Sequence, residues 1–409
     1  MENDDPARSS SLINLSILYI LHCVMTESYP TIKSVGHVRV VCERAMIYAT
    51  PSSELWYIIR RTTSWVGSEV PRIITEKKSI LELKKIGVLV VNTGTPSGYN
   101  YWMIRRYLRE FLSDRRVIEL PRIVWWPILY MFVLTARPFI IGKQYKSIWN
   151  MAQNESPLRT MTRNQASKLA NRLRDRRIVV DWAFRYGEPS IRSRINKLEK
   201  EGCDKLIVFP LFPQFSAVTN ASVFDETCRC LMKQRRQMTL SVVQPFYDNE
   251  LYVRTIHKHV SAALRKFRTP PQVIIVSYHG IPLSYHSSGD PYGFQCKYTT
   301  KLLRQRLQTL DCDLITTFQS RVGPGEWLKP YTEDTVIELT KRGVKRIMVI
   351  APGFFTDCME TMEELELRLA DSFRKHGGEE YVYVPCLNDS TEAIDILESL
   401  SRKHIQCFL

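Results

Sequence analysis

The feature that most constrains the fold is an alternation of short apolar runs with amphipathic stretches, which begins at residue 85. The apolar runs are rich in valine and isoleucine and lack the polar alternation of a half-exposed strand. They lie at residues 86–92, 178–184, 205–210, 240–245, 273–278, 313–318, 346–352 and 381–385. Runs of this kind are typical of strands buried on both faces of a parallel sheet.

Helix-like stretches separate the apolar runs. Residues 188–202 end in Gly202 and residues 331–343 end in Gly343, and a glycine just past the last periodic residue is a helix stop. Four strands with crossovers, followed by four more, predict an α/β fold of two similar halves. Ligands of such sheets bind beyond the carboxyl ends of the strands, so we expect one cleft between the halves.

The same pattern predicts the domain boundaries. We assign residues 85–248 to an N-terminal half, residues 249–400 to a C-terminal half and residues 401–409 to a tail. Residues 12–25 are apolar, but acidic residues precede them where a signal peptide carries positive charge, and the run is shorter than the ~20 residues of a membrane span. We interpret residues 1–84 as an N-terminal extension, and a targeting sequence is the alternative.

The charge and the cysteines limit the class of protein. A net charge of +15 favours an anionic partner, which could be nucleic acid, an anionic lipid or an acidic small molecule. The ten cysteines form no CxxC pair, which argues against a structural zinc site and fits a reducing compartment. Neither the GxxxxGK[ST] nor the GxGxxG motif is present, so a nucleotide cofactor is not expected, and no RNA- or DNA-binding motif occurs.

Two segments after predicted strands carry residues suited to metal or proton chemistry. His279 follows the strand at residues 273–278, where it could serve a metal, a proton or only a turn. Asp357 and Glu360 have the spacing of a helix capping box, which is a purely structural explanation. Glu360 and Glu364 lie four residues apart on one helix face, and like charges at that spacing disfavour a helix unless a cation joins them.

Residues 122–138 are almost wholly apolar between Arg122 and Arg137. The stretch is too short to span a bilayer, and Pro127 is expected to interrupt a membrane helix. A buried helix is the ordinary interpretation. Because the stretch has almost no polar face, an exposed apolar lip at a membrane interface or an apolar ligand is the alternative.

Taken in order, the motifs resemble those of the ferrochelatase family, bacterial type. The resemblance extends from Ile86 to Asp389. It rests on NTGTP at 92–96, YLREFLSDRRVI at 107–118, NESPL at 154–158, AFRYGEPSI at 183–191, FPLFPQFS at 209–216, SYHGIP at 277–282, QSRVGPGEWLKP at 319–330 and PGFFTDCMETMEEL at 352–365.

The resemblance implies two Rossmann-like halves around a porphyrin cleft, and it implies roles for individual residues. His279 and Glu360 are expected to be catalytic and, with Glu364, to contact the metal. The residues expected around the porphyrin are Arg137, Tyr145 and Ser156 near the propionates, Arg185 beside the pocket, and Trp327 and Thr93 near the ring.

Four positions depart from the family pattern. Thr93 stands where the family often has Met or Leu, and Arg368 replaces the third glutamate of a row that begins at Glu360. Some members bind a [2Fe–2S] cluster through C-terminal cysteines, but here only Cys407 lies near the end and Ala217 stands where another family cysteine would be. We therefore expect no cluster and no other cofactor, since Fe²⁺ is a substrate.

The function implied by the resemblance is insertion of ferrous iron into protoporphyrin IX to form protoheme, the terminal step of heme biosynthesis. A chelatase for another tetrapyrrole, such as coproporphyrin III or a cobalt-accepting precursor, is one alternative, and a porphyrin or metal carrier without turnover is another. We expect a cytoplasmic protein without a nucleic-acid partner, in peripheral contact with a membrane through residues 124–135.

Overall fold

The computed structural model describes residues 85–308, 310, 312–323 and 325–409 in full, and residues 38–42 and 45–49 by their backbone. Strands β1 (Val38–Cys42) and β2 (Ala45–Ala49) pair as an antiparallel hairpin. The apolar run at residues 12–25 lies outside the described residues, and the interpretation of residues 1–84 as an extension stays a prediction. A separate compact unit runs from Leu83 to Leu409.

The strands of this unit agree with the apolar runs of the sequence. They are β3 (Lys85–Gly94), β4 (Ile178–Tyr186), β5 (Cys203–Pro210), β6 (Thr239–Val242), β7 (Val273–His279), β8 (Asp313–Gln319), β9 (Arg346–Ile350) and β10 (Glu380–Val384). Val88, Leu89, Val90 and Val91 are all fully buried, as expected of a strand covered on both faces.

Helices connect the strands on both faces of the sheets. The α-helices are α1 (Tyr101–Leu112), α2 (Arg122–Ile128), α3 (Leu134–Ile148), α4 (Pro157–Leu173), α5 (Ile191–Lys200), α6 (Ser222–Leu231), α7 (Glu250–Leu264), α8 (Leu283–Ser287), α9 (Tyr292–Arg306), α10 (Thr332–Lys341), α11 (Met359–Thr361), α12 (Ala370–Lys375) and α13 (Thr391–Gln406). Three π-helical segments are π1 (Leu129–Val133), π2 (Ala217–Ala221) and π3 (Met362–Leu369). Gly202 and Gly343, which follow α5 and α10, have φ angles of +88° and +93°, so both predicted helix stops are confirmed.

The two sheets have the same strand order. The first sheet runs β4-β3-β5-β6 and the second runs β8-β7-β9-β10, with every pairing parallel. In each half the first strand lies between the second and the third, which makes the carboxyl ends of β3 and β7 the expected ligand edge. The predicted fold of two four-stranded parallel sheets flanked by helices is therefore confirmed.

The halves share one apolar core. Phe209 and Phe246 belong to the same cluster as Ile274 and Phe355 from the second half. The division at residue 248 into separate halves stays a prediction. The tail expected from residue 401 is wrong, because α13 continues to Gln406 and Ile405 is buried in that core.

The apolar stretch at residues 122–138 forms part of a longer helical segment than predicted. Helix α2, π1 and α3 follow one another without a break from Arg122 to Ile148, and both Pro127 and Pro138 lie inside helix. The expectation that Pro127 interrupts the helix is therefore wrong.

Judged by length and composition alone, this segment of 27 residues is long and apolar enough to cross a membrane. The expectation that the stretch is too short to span a bilayer is therefore wrong, but one such helix is weak evidence for a span. One face packs on the rest of the unit: Trp125, Leu129 and Leu134 are buried with residues of α1. Trp125 also donates from Nε1 to the carbonyl oxygen of Leu112 at 2.7 Å. The opposite face exposes Trp126, Met131 and Phe132.

Candidate active site

A cleft lies at the carboxyl ends of both sheets. The empty volume of the cleft, with its open mouth included, is about 1170 Å³. Only about 140 Å³ of this volume can be occupied by the centres of water-sized molecules, so the cleft is open but narrow. Of the residues that the sequence singled out, six line it: Thr93, Tyr145, Ser156, Arg185, His279 and Glu360. Arg137, Trp327 and Glu364 do not line it in this structure.

His279 is the last residue of β7 and faces the cleft. Its ring stands edge-on to the ring of Phe354, with 6.3 Å between the ring centroids. Burial lowers the pKa of His279 below its ordinary value, and the negative charge of Glu360 offsets only part of this shift. The imidazole is therefore neutral near pH 7, the state in which it can accept a proton or bind a metal.

Glu360 lies in the first turn of α11, but it does not form the capping box that its spacing predicts. The N-cap is Cys358, whose side chain accepts from the backbone N–H of Thr361, and Thr361 Oγ1 accepts from the backbone N–H of Cys358 at 3.0 Å. The box is therefore one residue later than predicted, which leaves the Glu360 carboxylate free of that structural task. Burial, and then the neighbouring Glu360 carboxylate, raise the pKa of the Cys358 thiol.

Asp357, the predicted N-cap, fixes the start of this helix from behind. Its Oδ1 accepts from Thr361 Oγ1 and from the Tyr383 hydroxyl, both at 2.8 Å, and its Oδ2 accepts from Asn388 Nδ2 at 2.6 Å. Because the carboxylate is buried and several donors surround it, the helix start has little freedom to move. We infer that this network positions Glu360.

Glu364 lies in π3, outside the cleft. Its carboxylate accepts from Ser320 Oγ at 2.5 Å and from Gln319 Nε2 at 3.2 Å, and Arg368 lies 3.6 Å away. Burial raises the pKa of Glu364, against the opposing effects of these donors. Within the described part of the chain, no three His, Cys, Asp or Glu side chains form a group that could hold a metal. The three-ligand set of His279, Glu360 and Glu364 is therefore not assembled here, and the pair His279 and Glu360 stays a prediction.

The residues expected near the propionates differ in their surroundings. Tyr145 is buried in the cleft wall, and burial raises the pKa of its hydroxyl. Ser156 is the N-cap of α4 and accepts from the backbone N–H of Arg159 at 3.4 Å, so it has a structural role as well. Arg137, in α3, is half-buried, and burial lowers its pKa; among the described residues no carboxylate pairs with it.

Arg185 borders the cleft, but its guanidinium is already engaged. Nη2 lies 2.5 Å from Asp114 Oδ2, and Nε donates to Ser222 Oγ at 2.7 Å. The Tyr186 hydroxyl donates to the same Asp114 oxygen at 2.9 Å. Arg185 is therefore part of a buried polar network behind the cleft wall.

Trp327 lies next to the cleft, above Gly280. It forms a backbone bridge with Pro282, and a Cβ added to Gly280 would lie 3.2 Å from Trp327 Cε3 and 2.8 Å from the carbonyl oxygen of Gln319. Only glycine permits this close approach, which explains why Gly280 follows His279.

Tyr107 and Cys358 are among the cleft residues that the sequence analysis did not single out. Tyr107 lines the cleft and donates from its hydroxyl to the carbonyl oxygen of Gly94 at 3.2 Å, and Cys358 lines it beside Glu360. Tyr107 lies within a family motif, but its helical spacing with Phe111 also fits an ordinary core face. No local signal distinguishes a side chain that faces the core from one that faces the cleft.

Two parallel sheets meet at a narrow cleft, and the cleft wall carries an imidazole and a carboxylate. The comparisons with known proteins identify the family. A family model described as Ferrochelatase matches residues 85–405. A ferrochelatase from Brucella anthropi is 48% identical over 339 residues, which span 83% of this chain and 97% of that protein. A ferrochelatase from Allorhizobium ampelinum is 50% identical over 323 residues, which span 79% and 94%. The chain belongs to the ferrochelatase family.

Solved structures are similar at a lower level. SirB from Bacillus subtilis with Fe3+ has a TM-score of 0.46 and 14% identity, covering 78% of this chain and 95% of its own. CbiX, the terminal enzyme for biosynthesis of siroheme in denitrifying bacteria, has a TM-score of 0.42 and 12% identity, covering 78% and 98%. A likeness of this degree carries no argument about what this chain binds.

Proposed function

We propose that this protein inserts ferrous iron into protoporphyrin IX to form protoheme. The observation that carries the proposal is the placement of His279 and Glu360 on the wall of one narrow cleft, in a chain of the ferrochelatase family. A narrow cleft suits a flat macrocycle. Imidazole and carboxylate bind ferrous iron without holding it irreversibly.

The reaction removes two pyrrole protons and strips part of the water from Fe²⁺. A neutral His279 can accept a proton, and the Glu360 carboxylate favours the cation and stabilises a protonated imidazole. The half-buried guanidinium of Arg137 suits a propionate, which an arginine can bind with two hydrogen bonds.

A direct test compares porphyrins. Anaerobic Fe²⁺ insertion is measured with protoporphyrin IX and coproporphyrin III side by side. We expect faster insertion into protoporphyrin IX, because the exposed apolar side chains of residues 124–135 suit a more apolar substrate and product. Faster insertion into coproporphyrin III would reassign the substrate. A porphyrin-binding spectrum without any metalloporphyrin would identify a carrier instead.

We also propose that residues 124–135 contact a membrane peripherally. We call the exposed apolar side chains Trp126, Met131 and Phe132 the lip, while Trp125 beside them is buried. Buried residues of the same helical segment, Trp125, Leu129 and Leu134, pack on α1, which supports a position on the membrane surface rather than a span. A cytoplasmic location, the absence of a [2Fe–2S] cluster and the absence of a nucleic-acid partner stay predictions.

We expect the triple variant Trp126→Ser, Met131→Ser, Phe132→Ser to bind phosphatidylcholine vesicles about 10³-fold more weakly, since burial of each side chain is worth ~1.5 kcal/mol or more. Vesicle flotation measures the loss, and the porphyrin KM should rise. The matched control replaces Met232, Phe294 and Leu367, which are exposed and apolar but lie elsewhere. Equal losses in both variants would contradict a specific lip.

A further inference from the structure

A second cavity, of about 880 Å³, opens outside the active-site cleft and is lined by arginines. These are Arg106, Arg109, Arg115, Arg116, Arg185 and Arg229. Arg185 lies in the wall between the two cavities, but Asp114 and Ser222 hold its guanidinium. The second cavity is therefore a separate site rather than an extension of the porphyrin cleft.

The cavity wall carries a surplus of positive charge. Six arginines face four acidic residues, Glu110, Asp114, Glu119 and Asp225. Asp114 is paired with Arg185, and Asp225 with Arg116 at 2.8 Å. Burial raises the pKa of Glu110, which makes its negative charge easier to lose.

Three arginines remain available in this wall. In the described part of the chain, Arg106, Arg109 and Arg115 have no carboxylate within ion-pair distance. Arg106 and Arg109 are three residues apart on α1, so they share a helix face, and Arg115 follows in the next loop. Several guanidinium groups around one opening suit a phosphate, which each can bind with two parallel hydrogen bonds.

The position of the cavity indicates where the phosphate comes from. Tyr130 belongs to the helical segment that carries the lip and also lines the cavity, with 41% of its surface exposed. When the lip lies on a bilayer, the cavity is therefore near the level of the headgroups, where arginines attract anionic lipids. We propose that the arginine cavity binds the phosphate of an anionic lipid headgroup, which carries the net negative charge that a phosphatidylcholine headgroup lacks. This inference rests on the proposed membrane contact of the lip.

The test uses the full chain and vesicles of phosphatidylcholine with or without phosphatidylserine. Wild type should bind the anionic vesicles at least tenfold more tightly than the neutral ones. The variant Arg106→Gln, Arg109→Gln, Arg115→Gln should lose most of that preference but keep its binding to neutral vesicles. The matched control is Arg176→Gln, Arg235→Gln, Arg236→Gln, which removes the same charge from exposed loops at the amino ends of the first sheet, and it should keep the preference.

Each result decides the proposal. If the control variant loses the preference for anionic vesicles to the same extent, that preference depends on net charge alone, and the proposed binding site in the cavity is wrong. Binding of inorganic phosphate by wild type, without any preference for anionic vesicles, would overturn the lipid assignment. If the lip variant binds neutral vesicles as tightly as wild type, the proposed membrane contact of the lip is wrong. The proposed lipid site in the cavity is tested separately, by the comparison of the two arginine variants.

Discussion

His279→Ala and Glu360→Gln should each lose most of the iron insertion, by about 10²–10⁴-fold, while folding stays nearly unchanged. The expectation of normal folding rests on local geometry. Glu360 is not part of the capping box, and the contact that Gln319 makes to residue 360 goes to its backbone carbonyl oxygen, which the variant keeps. His279 is only partly buried and lines the cleft, so its truncation should cost on the order of 1 kcal/mol.

Three measurements separate a catalytic role from a structural one: thermal melting, quenching of porphyrin fluorescence and Fe²⁺ insertion. Both variants should bind porphyrin and melt within a few degrees of wild type. Glu366→Gln is the matched control, because Glu366 is exposed on the same helical segment and does not line the cleft. Near-normal insertion in either active-site variant would exclude that residue from catalysis, and a much lower melting temperature would make it structural.

The pH profile of the Glu360→Gln variant gives an independent check. The charge of Glu360 raises the pKa of His279 against the larger effect of burial. Without that charge, the pKa of His279 should fall further, and its neutral form should persist to lower pH. If His279 accepts the protons, the acid limb of the residual insertion activity should therefore move to lower pH than in wild type, and a shift to higher pH would contradict this role.

Arg185→Met should destabilise the protein by about 3 kcal/mol or more, because it leaves the Asp114 carboxylate without its cation. Only 11% of the Arg185 side chain and 9% of the Asp114 side chain are exposed. Burial raises the pKa of Asp114, but the Ser222 hydrogen bond and the Arg185 charge outweigh it, so that the pKa is below its ordinary value. The pair therefore stabilises the fold above about pH 4, and this stabilisation is lost as the pH falls through the lowered pKa.

Denaturant unfolding at pH 7 and at lower pH measures this effect. The difference in the free energy of unfolding between Arg185→Met and wild type should become smaller in acid. The matched control is Arg116→Gln, which breaks an ion pair with Asp225 whose side chains are 44% and 33% exposed. That change should cost no more than about 1 kcal/mol. The double variant Arg185→Met, Asp114→Leu should recover part of the lost stability. If Arg185→Met destabilises the protein as little as the control does, the interpretation of Arg185 and Asp114 as a buried ion pair is wrong.

Much of the fold could be predicted because its signals are local. The run from Val88 to Val91 is apolar at every position, which indicates burial on both faces of a sheet, and Gly202 stops its helix through its own backbone conformation. The position of His279 also followed locally, since it ends a strand whose carboxyl edge faces the ligand side of the fold.

The error at the start of α11 arose where two local solutions were equally good. Asp357 and Cys358 can each accept a hydrogen bond at a helix start, and the structure uses Cys358 because Tyr383 and Asn388 hold the Asp357 carboxylate. Trp125 and Trp126 are adjacent in an apolar run without a polar marker, so nothing in the run indicates which of them is buried.

The sequence by itself determined the order and approximate bounds of the eight strands of the two sheets, two helix ends and the family, because periodicity, helix stops and motifs are properties of neighbouring residues. Only the tertiary structure decided which charges meet. Asp114 pairs with Arg185 across 71 residues, and Ser320 draws Glu364 away from the cleft across 44. The physical reason is that a short-range pattern specifies the conformation of a segment, whereas the partner of a buried charge depends on how the crossovers bring distant segments together.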